Sequence, residues 1–211
     1  MNHVRPCFSI SYLGTDHYIE RCRHINEDSF GEPLGHPHFI DLVREVTARG
    51  QSFSFVTNGL LLSRRRADAL VEFGPLLAFH VSFNAATQET YFKLHGKNFN
   101  QLLTNVRYYV SQYKQKHMHP PKVTATFIVM KINREEIWDF LMLARNLDIQ
   151  ALLAPLHDRP SVPLRKFGYD FVYEDEMLSP IEYRKIGEEA RRFAADKDLK
   201  SKSAAWLGNA G

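Results

Sequence analysis

From residue 37 onward the apolar positions alternate between two periods. Phe39, Ile40, Val43 and Val46 recur at helical spacing, with Pro37 suited to the first helical position and Gly50 to the position past the end. Phe53 and Phe55 then alternate with serines from Ser52 to Thr57, a strand that ends at the turn dipeptide Asn58-Gly59. Ser63 is placed to cap a helix with Ala67, Leu70 and Val71 on one face, stopped by Gly74-Pro75. Ala78 to Asn84 alternates again, Phe79, Val81 and Phe83 on one side and His80, Ser82 and Asn84 on the other. In a parallel sheet covered on both faces such a polar row suggests a lined cavity; an exposed sheet face is the other reading. Thr87 to His95 reads as a short helix, and Asn98 with Gln101 as a capping box opening a long one. That helix carries Phe99, Leu102, Leu103, Val106, Tyr109, Val110 and Tyr113 on one stripe. Lys122 to Ile132 is β-branched and apolar, hence a strand. Asn133-Arg134-Glu135-Glu136 has the form of a second cap before a helix burying Ile137, Phe140, Leu141 and Ala144. Ile149 to Ala154 is a short buried strand.

Strands separated by helices make parallel βαβ units, wound either as an open doubly wound sheet or as part of a (β/α) barrel. Both architectures place ligands at the C-terminal ends of the strands. The candidate rim is then Gly31, Glu32 and Pro33, followed by Thr57 and Asn58, Ser82 and Asn84, Lys131 and Asn133, and Pro155. Gly31-Glu32-Pro33 matters most, because a turn running straight into a helix leaves backbone groups free to hold a small polar ligand.

The organisation predicted is a poorly defined segment 1–28 without a regular element, a partial barrel over 29–155, and a region 156–211. In that last region a loop-like connector leads to a helix opening on Ser179-Pro180-Ile181-Glu182 with Ile186, Ala190, Phe193 and Ala194 inward, and then to a polar tail. Length and a 44% hydrophobic fraction fit an ordinary globular core, with no long apolar run for a bilayer. No secretory leader is legible, so a reducing cytoplasm is expected, with Cys7 and Cys22 as free thiols. The net charge of +3 does not argue for nucleic acid, and Arg64-Arg65-Arg66 reads as a solvated helix face rather than a phosphate site.

The ordered set Phe30-Gly31-Glu32-Pro33-Leu34, His36-Pro37, Thr57-Asn58-Gly59, Val81-Ser82-Phe83-Asn84-Ala85-Ala86-Thr87 with Tyr91, and Gly96-Lys97-Asn98-Phe99 closely resembles the radical S-adenosylmethionine enzymes. The resemblance implies an α/β fold, a partial parallel (β/α) barrel incomplete at its N-terminal end. It implies that the backbone of Gly31, Glu32 and Pro33 receives the amino group of S-adenosylmethionine. Ser82 and Asn84 would face the ribose or carboxylate, with Thr57 and Asn58 nearby; Lys131 joins them from its place at a strand end. It further implies a [4Fe–4S] cluster and cleavage of the cofactor to a 5′-deoxyadenosyl radical, acting on a small-molecule or peptide substrate that the residues do not identify.

The cluster of that family is held by three cysteines spaced C-x3-C-x2-C, and the chain has two, Cys7 and Cys22, with fourteen residues between them. Phe30 stands where many members have a second glycine, and Asn26 to Ser29 is not strand-like. The expectation is therefore a radical enzyme, or a fragment of one, lacking its first strand and cluster loop. A non-catalytic remnant binding S-adenosylmethionine or a partner is the alternative. A metal-dependent barrel hydrolase is a third reading, prompted by His36-Pro37-His38 and His117-Met118-His119; no acidic ligand falls beside these pairs, so surface histidines are the simpler account and no metal ligand is named.

Overall fold

The computed structural model describes residues 24–27, 31–156 and 173–197. Strands β1 (His24–Glu27), β2 (Ser52–Thr57), β3 (Leu77–Ser82), β4 (Lys122–Val129) and β5 (Gln150–Pro155) alternate with helices. The helices are α1 (Phe39–Ala48), α2 (Arg64–Val71), α3 (Gln88–His95), α4 (Phe99–His117), α5 (Ile137–Asn146), the single turn α6 (Tyr173–Glu176) and α7 (Pro180–Asp196). They fall into two compact units, one built from residues up to Val81 with Thr104–Val123, the other from Ser82–Leu103 and the residues from Thr124 on.

In the first unit β1 lies parallel to β2, with His24 opposite Ser52, and β2 parallel to β3, with Phe53 opposite Leu77. The period-2 pattern does the packing. Phe53 and Phe55 of β2 and Phe79 of β3 are 0–1% exposed and meet Phe39 of α1 and Tyr109 of α4. Ring centroids lie 4.9 Å apart for Phe39–Phe55, 5.0 Å for Phe55–Phe79 and 4.9 Å for Phe79–Tyr109. Each such ring contributes about 1.5–3 kcal/mol by leaving water, with a smaller gain from edge and stacked geometry.

In the second unit β4 runs parallel to β5, Thr124 opposite Gln150 and Val129 opposite Pro155. Phe127 of β4 meets Phe140 of α5 at 4.8 Å, and Phe83 contacts both Phe140 and Phe99 at 6.1 Å. The start of α7 is as expected. The Ser179 hydroxyl accepts from the Glu182 N–H while the Glu182 carboxylate accepts from the Ser179 N–H, a complete capping box with Pro180 at the first position. Gly187, Ala190 and Ala194 form its buried face, with Ile186 and Phe193 only half-buried.

Four expectations are corrected. The segment before residue 29 does contain a strand, β1, which four residues of mixed type do not announce; its evidence is the parallel backbone ladder with β2. The first helix begins at Phe39, not Pro37, and the proline at a first helical position is Pro33, opening a 3-10 turn over Pro33–Gly35. Strand β4 ends at Val129 instead of Ile132, because the next N–H groups are taken by other partners: Met130 by the Asn133 side chain, Lys131 and Ile132 by Glu176. Asn133 does not cap a helix; its side chain makes no cap bond and is wholly buried. The tail beyond residue 197, Cys7, Cys22 and most of the connector lie outside the described residues.

Candidate cofactor site

The first unit carries Gly31, Glu32, Pro33, Thr57 and Asn58. Gly31 has φ +136°, a conformation that L side chains rarely adopt, and no described atom lies within 4 Å of the position a Cβ would occupy. The backbone at Gly31 thus borders open space. Glu32 turns its carboxylate away from that space and into the end of β2. One oxygen accepts from the Thr57 hydroxyl at 2.6 Å and the Leu34 N–H at 3.2 Å, and the other accepts from the Asn58 N–H at 2.8 Å. Thr57, 2% exposed, accepts in turn from the Gly59 N–H at 2.9 Å. Asn58 accepts from the Leu60 N–H, and Asn105 of α4 donates to the carbonyls of Gly59 and Leu60. The loop after β2 and the Gly31–Pro33 turn are therefore one hydrogen-bonded body built on a single carboxylate. Bonds to an ionised acceptor are the stronger kind, so this junction is stiff.

The second unit carries Ser82, Asn84 and Lys131. Ser82 is half-buried at the end of β3. Asn84 is 8% exposed and holds φ +56°, the left-handed region that asparagine tolerates better than most residues. Its Oδ1 accepts from the Ile128 N–H at 2.9 Å, and its carbonyl accepts from Nδ2 of Asn133 at 2.8 Å. Lys131 is exposed, with its backbone N–H donated to the Glu176 carbonyl.

Two residues organise this unit: Glu136, read only as a cap letter, and Asn133, read as a cap letter and a rim position. Asn133 accepts from the Met130 N–H at 2.7 Å and donates to the carbonyls of Asn84 and Ile128. Glu136 accepts from the N–H groups of Ala86 and Thr87 and from the hydroxyls of Thr87 and Thr90, the last at 2.5 Å. It fixes the loop between β3 and α3 much as Glu32 fixes the turn before α1. The available signal was the loop's composition: two threonines and two free N–H groups at a helix start need an acceptor.

Burial works to raise the Glu136 carboxyl, but the bonds from Thr90, Ala86 and Thr87 outweigh it and hold the group below its ordinary value. A depressed carboxyl contributes stability that is present above its unfolded pKa and lost as pH falls through the folded one. His95, its Nε2 buried without a described partner and its ring against Tyr91, is pushed down to about 4 by burial. The unfolded chain takes up that proton first, so stability declines from about pH 6.5 towards pH 4. Acid titration followed by circular dichroism should show both losses. In Glu136→Gln the part below the ordinary carboxylate range should shrink, since Asp41 and Glu182 are also held low, while the His95 part remains.

Among the described residues no three His, Cys, Asp or Glu side chains converge to hold a metal ion. His36, His38 and His119 are exposed, and a ring nitrogen of His117 contacts the Val71 carbonyl. Among the same residues no helix is long and apolar enough to cross a membrane. The chemistry of the donor set does not fit a three-thiolate cluster, since the chain has only two cysteines. At the Gly31–Pro33 turn no described atom lies within 4 Å of the Gly31 Cβ position, while the carbonyls of Glu32 and Pro33 accept from the N–H groups of Gly35 and His36.

The Radical SAM superfamily model matches residues 20–144. The chain is 28% identical over 123 residues to the tungsten-containing aldehyde ferredoxin oxidoreductase cofactor-modifying protein of Pyrococcus furiosus, covering 58% of this chain and 35% of that one. It is 27% identical over 175 residues to a probable GTP 3′,8-cyclase of Saccharolobus islandicus, covering 82% and 51%. The chain thus spans between a third and about half the length of these curated relatives. Streptococcus suis SuiB bound to S-adenosylmethionine is similar in fold, with a TM-score of 0.65 at 12% identity over 84% of this chain and 36% of SuiB. SuiB is also solved with its precursor peptide SuiA. The fold is the partial parallel (β/α) barrel of these structures, and the family's cofactors are S-adenosylmethionine and a [4Fe–4S] cluster. With the family model matching more than half of its length, this chain belongs to the radical S-adenosylmethionine superfamily.

Proposed function

We propose that the chain binds S-adenosylmethionine, with its amino group received by the backbone at Gly31, Glu32 and Pro33. The observation that carries this reading is the Glu32 carboxylate. By bonding Thr57, Asn58 and Leu34 it holds the turn rigid and keeps its own charge out of the open space beside Gly31. A preformed turn lowers the ordering cost of binding. Thr57 and Asn58 support the turn; for Ser82, Asn84 and Lys131, carried by the second unit, a role in cofactor binding rests on the family resemblance alone.

In the family a reduced cluster supplies the electron that breaks S-adenosylmethionine into methionine and a 5′-deoxyadenosyl radical. Two cysteines do not make that cluster's three-thiolate loop, so no step of this cleavage is assigned to residues here. The named relatives differ in what they act on or bind, GTP for one and a precursor peptide for another, which supports a small molecule or a peptide as this chain's substrate.

The test is equilibrium dialysis with labelled S-adenosylmethionine, with iron and sulfide counted after anaerobic reconstitution. Saturable binding that is lost in Gly31→Val supports the site; absence of saturable binding in the wild type overturns it. About four irons per chain, lost in a Cys7→Ala, Cys22→Ala double variant, would extend the reading to radical cleavage by this chain itself. Binding without iron would leave it a cofactor-binding barrel without that chemistry.

A further inference from the structure

We propose that a cleft between α1 and α2 in the first unit is a second binding site, for a phosphate-bearing small molecule. The cleft has a volume of about 560 Å³, and its polar lining is His36, Asp41, Arg44, Ser63, Arg65 and Arg66. Three arginines from two helices thus line it beside one aspartate, to which Arg44 is bonded.

The arrangement runs against helix electrostatics. A helix N-terminus carries partial positive charge and favours acidic side chains, yet the first turn of α2 has three arginines and no acid. Ser63 at its N-cap makes no side-chain cap bond, so its hydroxyl is not committed to the helix. Arg64 and Arg65 are exposed and Arg66 half-buried, but the three differ in what they meet. Arg64 lies over the Tyr108 ring at 5.1 Å, and Tyr108 donates to Asp68, whereas Arg65 and Arg66 line the cleft. Arg66 donates one N–H to the Leu61 carbonyl at 3.0 Å and Arg44 one to Asp41 at 2.6 Å, and both keep further donors. Arg65 has no hydrogen bond or ion pair among the described residues.

An anion in the cleft would relieve the repulsion among these groups and complete their hydrogen bonding. Planar guanidinium forks on two sides suit the tetrahedral oxygens of a phosphate, whose charge of about −2 matches the local excess. A concave, walled site suits a small molecule. Nucleic acid would call for an extended basic stripe, and the net charge of the chain is only +3. The inference is independent of the S-adenosylmethionine reading.

The probe is inorganic pyrophosphate, titrated into the full chain by calorimetry and followed by phosphorus NMR line broadening, with sodium chloride at matched ionic strength as control. Saturable binding of one pyrophosphate per chain is expected, weakened about tenfold or more in Arg65→Glu, Arg66→Glu, with S-adenosylmethionine binding unchanged. If circular dichroism shows the double variant unfolded, Arg44→Gln is held to the same criterion. No saturable binding, equal affinity in the folded variant, or an effect reproduced by sodium chloride overturns the proposal.

Discussion

Glu32→Ala is expected to abolish measurable S-adenosylmethionine binding and to cost about 2–4 kcal/mol of stability. Three donors lose their acceptor together: the buried Thr57 hydroxyl and the N–H groups of Asn58 and Leu34. An exposed group would turn to water at little cost, but Thr57 is 2% exposed and its hydroxyl also receives the Gly59 N–H. Glu32→Gln separates the two effects. It keeps an acceptor oxygen but places an amide where both carboxylate oxygens now accept, so part of the stability should return and little of the binding. Urea midpoints and equilibrium dialysis on the same preparations measure both. Full-affinity binding by Glu32→Ala would show that the turn needs no brace.

The second large effect is expected at Asn133, which is 0% exposed. Asn133→Leu preserves much of the volume but leaves the Met130 N–H and the carbonyls of Asn84 and Ile128 without their partner, a loss of about 3 kcal/mol or more. Asn133→Asp should be worse despite its closer shape. It still accepts from Met130 N–H but sets a buried charge against two carbonyl oxygens. The check is a lowered urea midpoint with an unchanged slope, which separates lost stability from a changed unfolded state. A wild-type midpoint in both variants would mean that the bracket at Asn133 contributes nothing.

These two residues show how unevenly the site could be read. Glu32 was legible because a Gly-Glu-Pro turn before a helix is a local signal, although its carboxylate partners lie 25 and 26 positions further along. The bonding of Asn133 and Glu136 was not, although Asn133 was named as a rim position. Before a helix, Asn-Arg-Glu-Glu has the letters of a cap, and the local pattern carries no trace of the Asn84 carbonyl or the Thr87–Thr90 segment, more than forty residues earlier in the chain. The arginine triplet gave a similar result. Its composition predicts a solvated face, and Arg64 and Arg65 are exposed, but that pattern does not say that Arg64 meets Tyr108 or that its two neighbours line a cleft.

By itself the sequence determined the alternation of strand and helix from residue 37 to 155, the inward faces and the cap of α7, because periods of 2 and 3.6 and a capping box are written in neighbouring residues. It also determined the family, through the order of short motifs at strand ends, and it limits the thiolates to two. The tertiary structure alone decided that His24–Glu27 is a strand, because its ladder partner is Ser52–Phe55. It alone decided which carboxylate holds which loop. A buried carboxylate or amide goes wherever folding leaves donors that water cannot reach, and those donors come from distant parts of the chain.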